Sequence, residues 1–239
     1  MLPYGMSNET KNVLEFYELT SALKKLIRTG WKTWDVSADR LESVAEHVFS
    51  SSMLALAVNS EFNYNVDIKK VVYMLAVHEL EEIVIGDITP FDGVTKADKR
   101  IKGKAAVAEV LSKLSNPDDI AAVIEEYEKL ETREAKFATF VDKLDAGLQC
   151  RQYERDGAID LHSPKINQKR IDEYNKSGRD NLTDYWLDYA IANYGFDENF
   201  VEIAKSAQSP RAKKERLNIA DVNSLSRQKS NAGSHLIGQ

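Results

Sequence analysis

The chain has 239 residues, 43% of them apolar, with 38 acidic against 32 basic side chains and a formal net charge of −6. That is enough chain for one large globular domain with extensions, and the modest acidic balance provides no general nucleic-acid-binding surface. One cysteine, Cys150, excludes an intramolecular disulfide, no apolar run approaches the ~18 residues of a membrane span, and the first residues carry no basic-then-apolar leader, so a soluble, cytoplasmic protein without membrane or stable nucleic-acid binding is expected.

Residues 1–7 read as an irregular lead with Pro3 and Gly5. From Asn8, Val13, Leu14, Phe16, Tyr17, Leu19, Leu23, Leu26 and Ile27 recur at helical spacing, and Gly30 is suited to end that helix at the C′ position. The Trp31–Trp34 stretch then reads as a loop or short extended segment. Ser37 or Asp39 can cap a second helix, to about Ser60, that carries His47. A third is expected from Asp67 to Ile85, stopped by Gly86, with residues 87–98 as a loop. A fourth should span residues 99–114. Asn116-Pro117 breaks the pattern, and Asp118 starts a helix to about Leu130. Thr132 opens another that carries Asp142, Asp145, Gly147 and Leu148. Beyond Gly157 the pattern weakens, with further helices at residues 181–194 and 198–207 and a polar, disordered tail from about residue 208. No repeat and no strand of useful length occurs, so the fold class is all-α.

Chemistry concentrates in Val77–Pro90, where His78, Glu79, Glu81, Glu82 and Asp87 follow directly on the apolar run 71–77. A buried carboxylate is costly unless it is paired or bound to a cation. The chain has four histidines, and two of them, His47 and His78, lie inside predicted helices beside an acid. Imidazole and carboxylate together suit borderline or hard divalent metals. His47, His78 and Glu79, with Asp142 from a further helix, could form a cage in a bundle core. On the residues alone, plainer readings stay open: a satisfied core histidine, a solvated Glu79–Glu82 face, Arg28 as a helix C-terminal cation, Trp31 as a core aromatic and Asp87 as a turn cap.

Several ordered motifs then resemble one family: Arg28-Thr29-Gly30-Trp31, Glu42-Ser43-Val44-Ala45-Glu46-His47, His78-Glu79 with Glu82, Gly86-Asp87-Ile88-Thr89-Pro90, Glu126-Tyr127-Glu128, Glu134-Ala135-Lys136-Phe137, and Asp142. Over roughly residues 12–155 the chain resembles the HD-domain metal-dependent phosphohydrolases, in their 5′-deoxynucleotidase branch. The resemblance implies a compact, often dimeric helical bundle. It implies one divalent metal (Co, Mn, Fe, Ni, Zn or Mg) on His47, His78, Glu79 and Asp142, with Asp145 the alternative to Asp142. It further implies Glu82 as the proton-handling acid, Asp87 as an acid of the substrate pocket, and Arg28 and Trp31 as contacts to phosphate and sugar of a nucleoside monophosphate. The chain departs from the family in one place: His78-Glu79 stands where the family has His-Asp. The implied organisation is a catalytic domain over residues 8–155, a packed helical extension over 156–207 and a tail over 208–239. Two other outcomes fit the same pattern: a triphosphohydrolase or phosphodiesterase, served by the basic run Lys96–Lys104, or a non-catalytic nucleotide- or metal-binding protein.

Overall fold

A computed structural model describes residues 7–89 and 92–208. The lead through Met6, Pro90 and the tail from residue 209, with Pro210 and His235, lie outside the described residues. Among the described residues the chain is all-α. The elements are α1 (Asn8–Thr20), a 3₁₀ turn (Ser21–Lys24), α2 (Thr29–Thr33), α3 (Val44–Phe62), α4 (Ile68–Val77), α5 (Glu82–Ile85), α6 (Lys96–Leu111), α7 (Asp118–Lys129), α8 (Arg133–Arg155), α9 (Gln168–Ser177), α10 (Leu182–Tyr194) and α11 (Glu198–Gln208). No strand occurs among them, only an isolated bridge between Ile27 and Ser43.

Local chemistry explains most of the boundaries. Asp67 caps α4 and Thr132 caps α8 through their side-chain oxygens, as expected of N-cap residues. The start of α3 differs from expectation. Ser43, not Ser37 or Asp39, is the N-cap, and it forms a reciprocal capping box with Glu46. Ser37 is instead tied to the carbonyl of Ala158. Gly30 does not end the first helix. That helix stops at Thr20, and Gly30 lies inside α2, which replaces the expected loop around Trp31. Its role is steric: a Cβ at Gly30 would sit 3.1 Å from Cη2 of Trp186. Helix α9, with only Arg170 and Tyr174 buried, escapes detection because so little of it is apolar.

The expected third helix is broken in two. α4 ends at Val77, and residues 78–81 wind through i→i+3 bonds, Leu80 N to Val77 O and Glu82 N to Glu79 O, before α5 begins. This tighter winding departs from the 3.6-residue pattern at the place where His78 and Glu79 face the same centre.

α8 is the hub. It packs against α3, α4, α7, α10 and α11. Ala55, Val71, Met74, Leu75, Phe137 and Val141 form one core cluster on it, and Leu144, Leu187, Phe200 and Ala204 form another. Trp31, Trp34, Cys150, Tyr153 and Leu182 form a third under α2 and α10. Cys150 is fully buried, and burial pushes its thiol well up, as suits an inert core residue.

Candidate metal centre

Four potential ligand atoms converge between α3, the α4–α5 turn and α8. One atom each of His47, His78, Glu79 and Asp142 lies within 4.8 Å of the others. His47 comes from the first turn of α3 and Asp142 from the middle of α8. His47, His78 and Asp142 are buried, and the Glu79 side chain is 12% exposed.

Hydrogen bonds fix which nitrogen of each imidazole faces the centre. Nδ1 of His47 is 2.8 Å from Asp145 Oδ2, and Nε2 lies 3.0 Å from Asp142 Oδ1 and 3.8 Å from Glu79 Oε1. His78 donates from Nδ1 to the carbonyl of Leu75 at 2.8 Å. Its Nε2, 3.3 Å from Glu79 Oε1, has no hydrogen-bond partner among the described residues. A metal-ligating histidine characteristically ties its other nitrogen to a carboxylate or carbonyl, and both rings do so here. With mixed N/O donors and a buried, unpartnered imidazole nitrogen at the centre, these residues fit a divalent cation. Asp145, the alternative to Asp142, is brought instead to the far side of the His47 ring, where Ser50 also donates to it at 3.0 Å.

The charges are strongly coupled. Burial and the Arg28 charge oppose protonation of His47, yet hydrogen bonds to Asp142 and Asp145 outweigh them and lift its pKa to about 9. Burial also works against the charge on Asp142, but Lys143 at 2.8 Å and His47 hold it well below the usual carboxylate range. Glu79 is likewise held low against burial by His78 and Arg28. Glu82 goes the other way. Burial, with Glu79 and Asp87 beside it, pushes its carboxyl up to about 11, and its Oε2 has no partner among the described residues.

Arg28 reaches Glu79 at 3.2 Å. Burial opposes its charge, and Glu79 and Asp87 more than offset that. Its backbone is pinned on both sides: Arg28 N–H donates to Glu42 O, Val44 N–H to Leu26 O, and Thr29 N–H to Asp87 Oδ2 at 2.5 Å. Asp87 therefore holds the Arg28 segment in place. Trp31 is 1% exposed, and its indole donates to Glu42 at 2.8 Å while the ring stacks on Trp186. It forms part of the wall rather than an open face.

The proposed ligands other than His47, together with Glu82, Asp87, Arg28 and Trp31, line one cavity of about 420 Å³, within the usual range for small-molecule sites, roughly 300–1,000 Å³. The cavity also takes in side chains to which the sequence reading assigned no role. Tyr127 donates to Asp142 Oδ2 at 2.9 Å, and Lys143 pairs with the same carboxylate. Arg170 of α9 and Tyr185, Trp186, Tyr189 and Tyr194 of α10 also line it. Tyr127 lay within a recognised motif; the α9 and α10 residues carried no local signal distinguishing them from core aromatics.

A family model described as HD domain matches residues 20–178. A 5′-deoxynucleotidase HDDC2 from Dictyostelium discoideum is 34% identical over 151 residues, spanning 60% of this chain and 78% of that protein. The Homo sapiens 5′-deoxynucleotidase HDDC2 is 31% identical over 148 residues, spanning 60% of this chain and 69% of the relative. Among solved structures, a protein from Magnetospirillum magnetotacticum described as a predicted metal-dependent phosphohydrolase has the same fold, with a TM-score of 0.59 and 23% identity over 87% of this chain and 94% of its own.

Proposed function

The chain belongs to the HD-domain family, and from that premise we propose that it is a metal-dependent phosphohydrolase that cleaves deoxynucleoside 5′-monophosphates to nucleoside and phosphate. One observation carries this reading: two imidazoles and two carboxylates converge beside a half-buried, charged Arg28 in a cavity of nucleotide size. The substrate class follows the relatives, which are 5′-deoxynucleotidases.

His47, His78, Glu79 and Asp142 would hold the cation. Bound there, it would supply Lewis acidity toward a phosphoryl oxygen and a lowered pKa to water. Glu79 reaches the group as a glutamate, its Oε1 close to His78 and to Arg28, which supports its standing in for aspartate. Arg28, planar and permanently charged, clamps the phosphate oxygens. Asp87 keeps the Arg28 segment in position through Thr29. Glu82, whose surroundings favour the protonated acid, donates its proton to the departing 5′-oxygen. Trp31 backs the sugar as part of the wall.

The same reading takes in a cytoplasmic homodimer, supported by Phe49, Met53 and Leu56 exposed on one face of α3. It also takes in the division into a catalytic unit (8–155), a helical extension (156–207) and a tail (208–239).

The test is phosphate release from deoxynucleoside and nucleoside monophosphates by metal-stripped protein, with Co²⁺, Mn²⁺, Mg²⁺ and Zn²⁺ restored singly, beside Glu82→Gln. Metal-dependent release favouring deoxynucleotides is expected. Glu82→Gln should lower kcat by on the order of 10²–10⁴ while retaining bound metal. Release of tripolyphosphate from a deoxynucleoside triphosphate, or no release at all from folded protein, would overturn the assignment.

A further inference from the structure

The metal centre takes up part of the cavity lining, and nothing said so far uses the part formed by α10, which presents Tyr185, Trp186, Tyr189, Ala190 and Tyr194 to the same space. None of these five carries a charge, whereas the metal centre is built from carboxylates and imidazoles beside Arg28; the cations nearest the aromatic part are Lys143, over the Tyr194 ring at 5.9 Å, and Arg170, over the Trp34 ring at 6.0 Å. α10 begins at Leu182 and so lies beyond the residues matched by the family model, which end at 178.

Two features distinguish this wall from ordinary core. Trp186 stacks on Trp31 with ring centres 5.3 Å apart and planes 20° from parallel, and Gly30 provides the room for its edge. Tyr189 is 50% exposed although it lines a cavity.

A neutral, flat, aromatic group matches both. Resting on the nucleotide reading above, we infer that α10 is the nucleobase wall of the pocket, with Tyr189 as its open stacking face. Stacking accepts any base, since every base has a π-face, so the wall selects for the presence of a base and discriminates weakly among bases.

The experiment compares deoxyadenosine 5′-monophosphate with its abasic counterpart, 2-deoxyribose 5-phosphate, on wild-type protein, Tyr189→Ala and Tyr189→Phe. The wild type should favour the base-bearing substrate in kcat/KM. In Tyr189→Ala that preference should collapse by about tenfold, the order expected for one lost stacking partner, mainly through KM, and Tyr189→Phe should restore it. An unchanged preference, or equal loss on both substrates, overturns the inference. A second measurement does not depend on turnover. Deoxyadenosine, which has no phosphate to lose, is titrated against tryptophan fluorescence. Weaker quenching and binding in Tyr189→Ala supports the wall even if no nucleotide is hydrolysed, in which case the hydrolase reading alone fails. Identical binding by both proteins overturns the wall.

Discussion

The two ends of the cavity are organised by different forces. At the metal end the polar side chains are cross-tied, and His78 Nε2 and Glu82 Oε2 are left open. His47 is gripped on both nitrogens, Asp142 takes contacts from His47, Tyr127 and Lys143, and Arg28 leans on Glu79. At the α10 end the contacts are mainly ring against ring, with Lys143 over Tyr194 and Arg170 over Trp34 as the only cations stacked there among the described residues. Fixed, low-dielectric charge suits the stabilisation of a reacting phosphoryl group, since preorganised dipoles need no rearrangement as charge develops. A stacking face tolerates substrates of different outline. The difference separates a part of the site that performs chemistry from a part that selects what is presented to it, and mutations at the two ends should fail in different ways.

Asp142→Ala should have the largest effect. It removes a proposed ligand and leaves Lys143, Tyr127 and His47 facing a gap, and breaking a buried charge pair from one side costs about 3–5 kcal/mol. Loss of bound metal by elemental analysis, loss of phosphate release and a clear fall in the denaturation midpoint should coincide. A variant that keeps its metal would remove Asp142 from the ligand set and break the contrast between the two ends.

Glu79→Asp comes next, because it restores the residue found in the family while withdrawing the carboxylate by one methylene. The surrounding cage is built around the longer side chain: Glu79 Oε1 lies 3.2 Å from Arg28 and 3.3 Å from His78. A displacement of about 1 Å at such a site can cost on the order of 10²-fold in rate. The variant should therefore be slower and bind metal more weakly, with base preference unchanged. Faster turnover would mean that the glutamate is a handicap the cage has not absorbed.

The cluster of His47, His78, Glu79 and Asp142 was legible in the sequence because each is a chemically distinctive residue at a helical spacing. His47, His78 and Asp142 each sit where periodicity already demanded a buried face, and a buried imidazole or carboxylate is conspicuous there. The local geometry that unites them was not legible. The helical pattern runs straight through residues 78–81, and only the structure shows the tightened turn that separates α4 from α5. Asp142 and Asp145 could not be ranked from spacing, since both are one turn apart on a single helix; the His47 ring lies between them and gives each a different nitrogen. The α10 wall was illegible for a simpler reason. Trp186, Tyr189 and Tyr194 look like any aromatic helix face, and their role depends on a contact more than 150 residues away in sequence, between Trp186 and Gly30. Gly30 itself reads as a helix stop until its neighbour is known.

The smallest predicted effects come from two glycines under α10, and they sharpen the comparison because both substitutions add the same methyl group. At Gly147 on α8, a Cβ would lie 2.4 Å from Cδ2 and 2.9 Å from Cγ of Leu187. Overpacking of this kind costs about 1–3 kcal/mol, and the helical gain of alanine over glycine, roughly 0.5–1 kcal/mol, offsets only part of it. Gly147→Ala should lower stability measurably by denaturant titration, because Leu187 belongs to the core that binds α10 to α8. At Gly30 the new Cβ would stand 3.1 Å from a single ring carbon of Trp186, so the ring need give only a few tenths of an ångström and the same helical gain nearly balances the strain. Gly30→Ala should leave the denaturation midpoint almost unchanged, yet tilt Trp186 against Trp31 and shift the tryptophan fluorescence and the KM for deoxynucleotides by a few-fold. If KM follows Gly147 and not Gly30, α10 serves the site only as scaffolding; if it follows Gly30, the stack of Trp31 on Trp186 is a surface that the substrate meets.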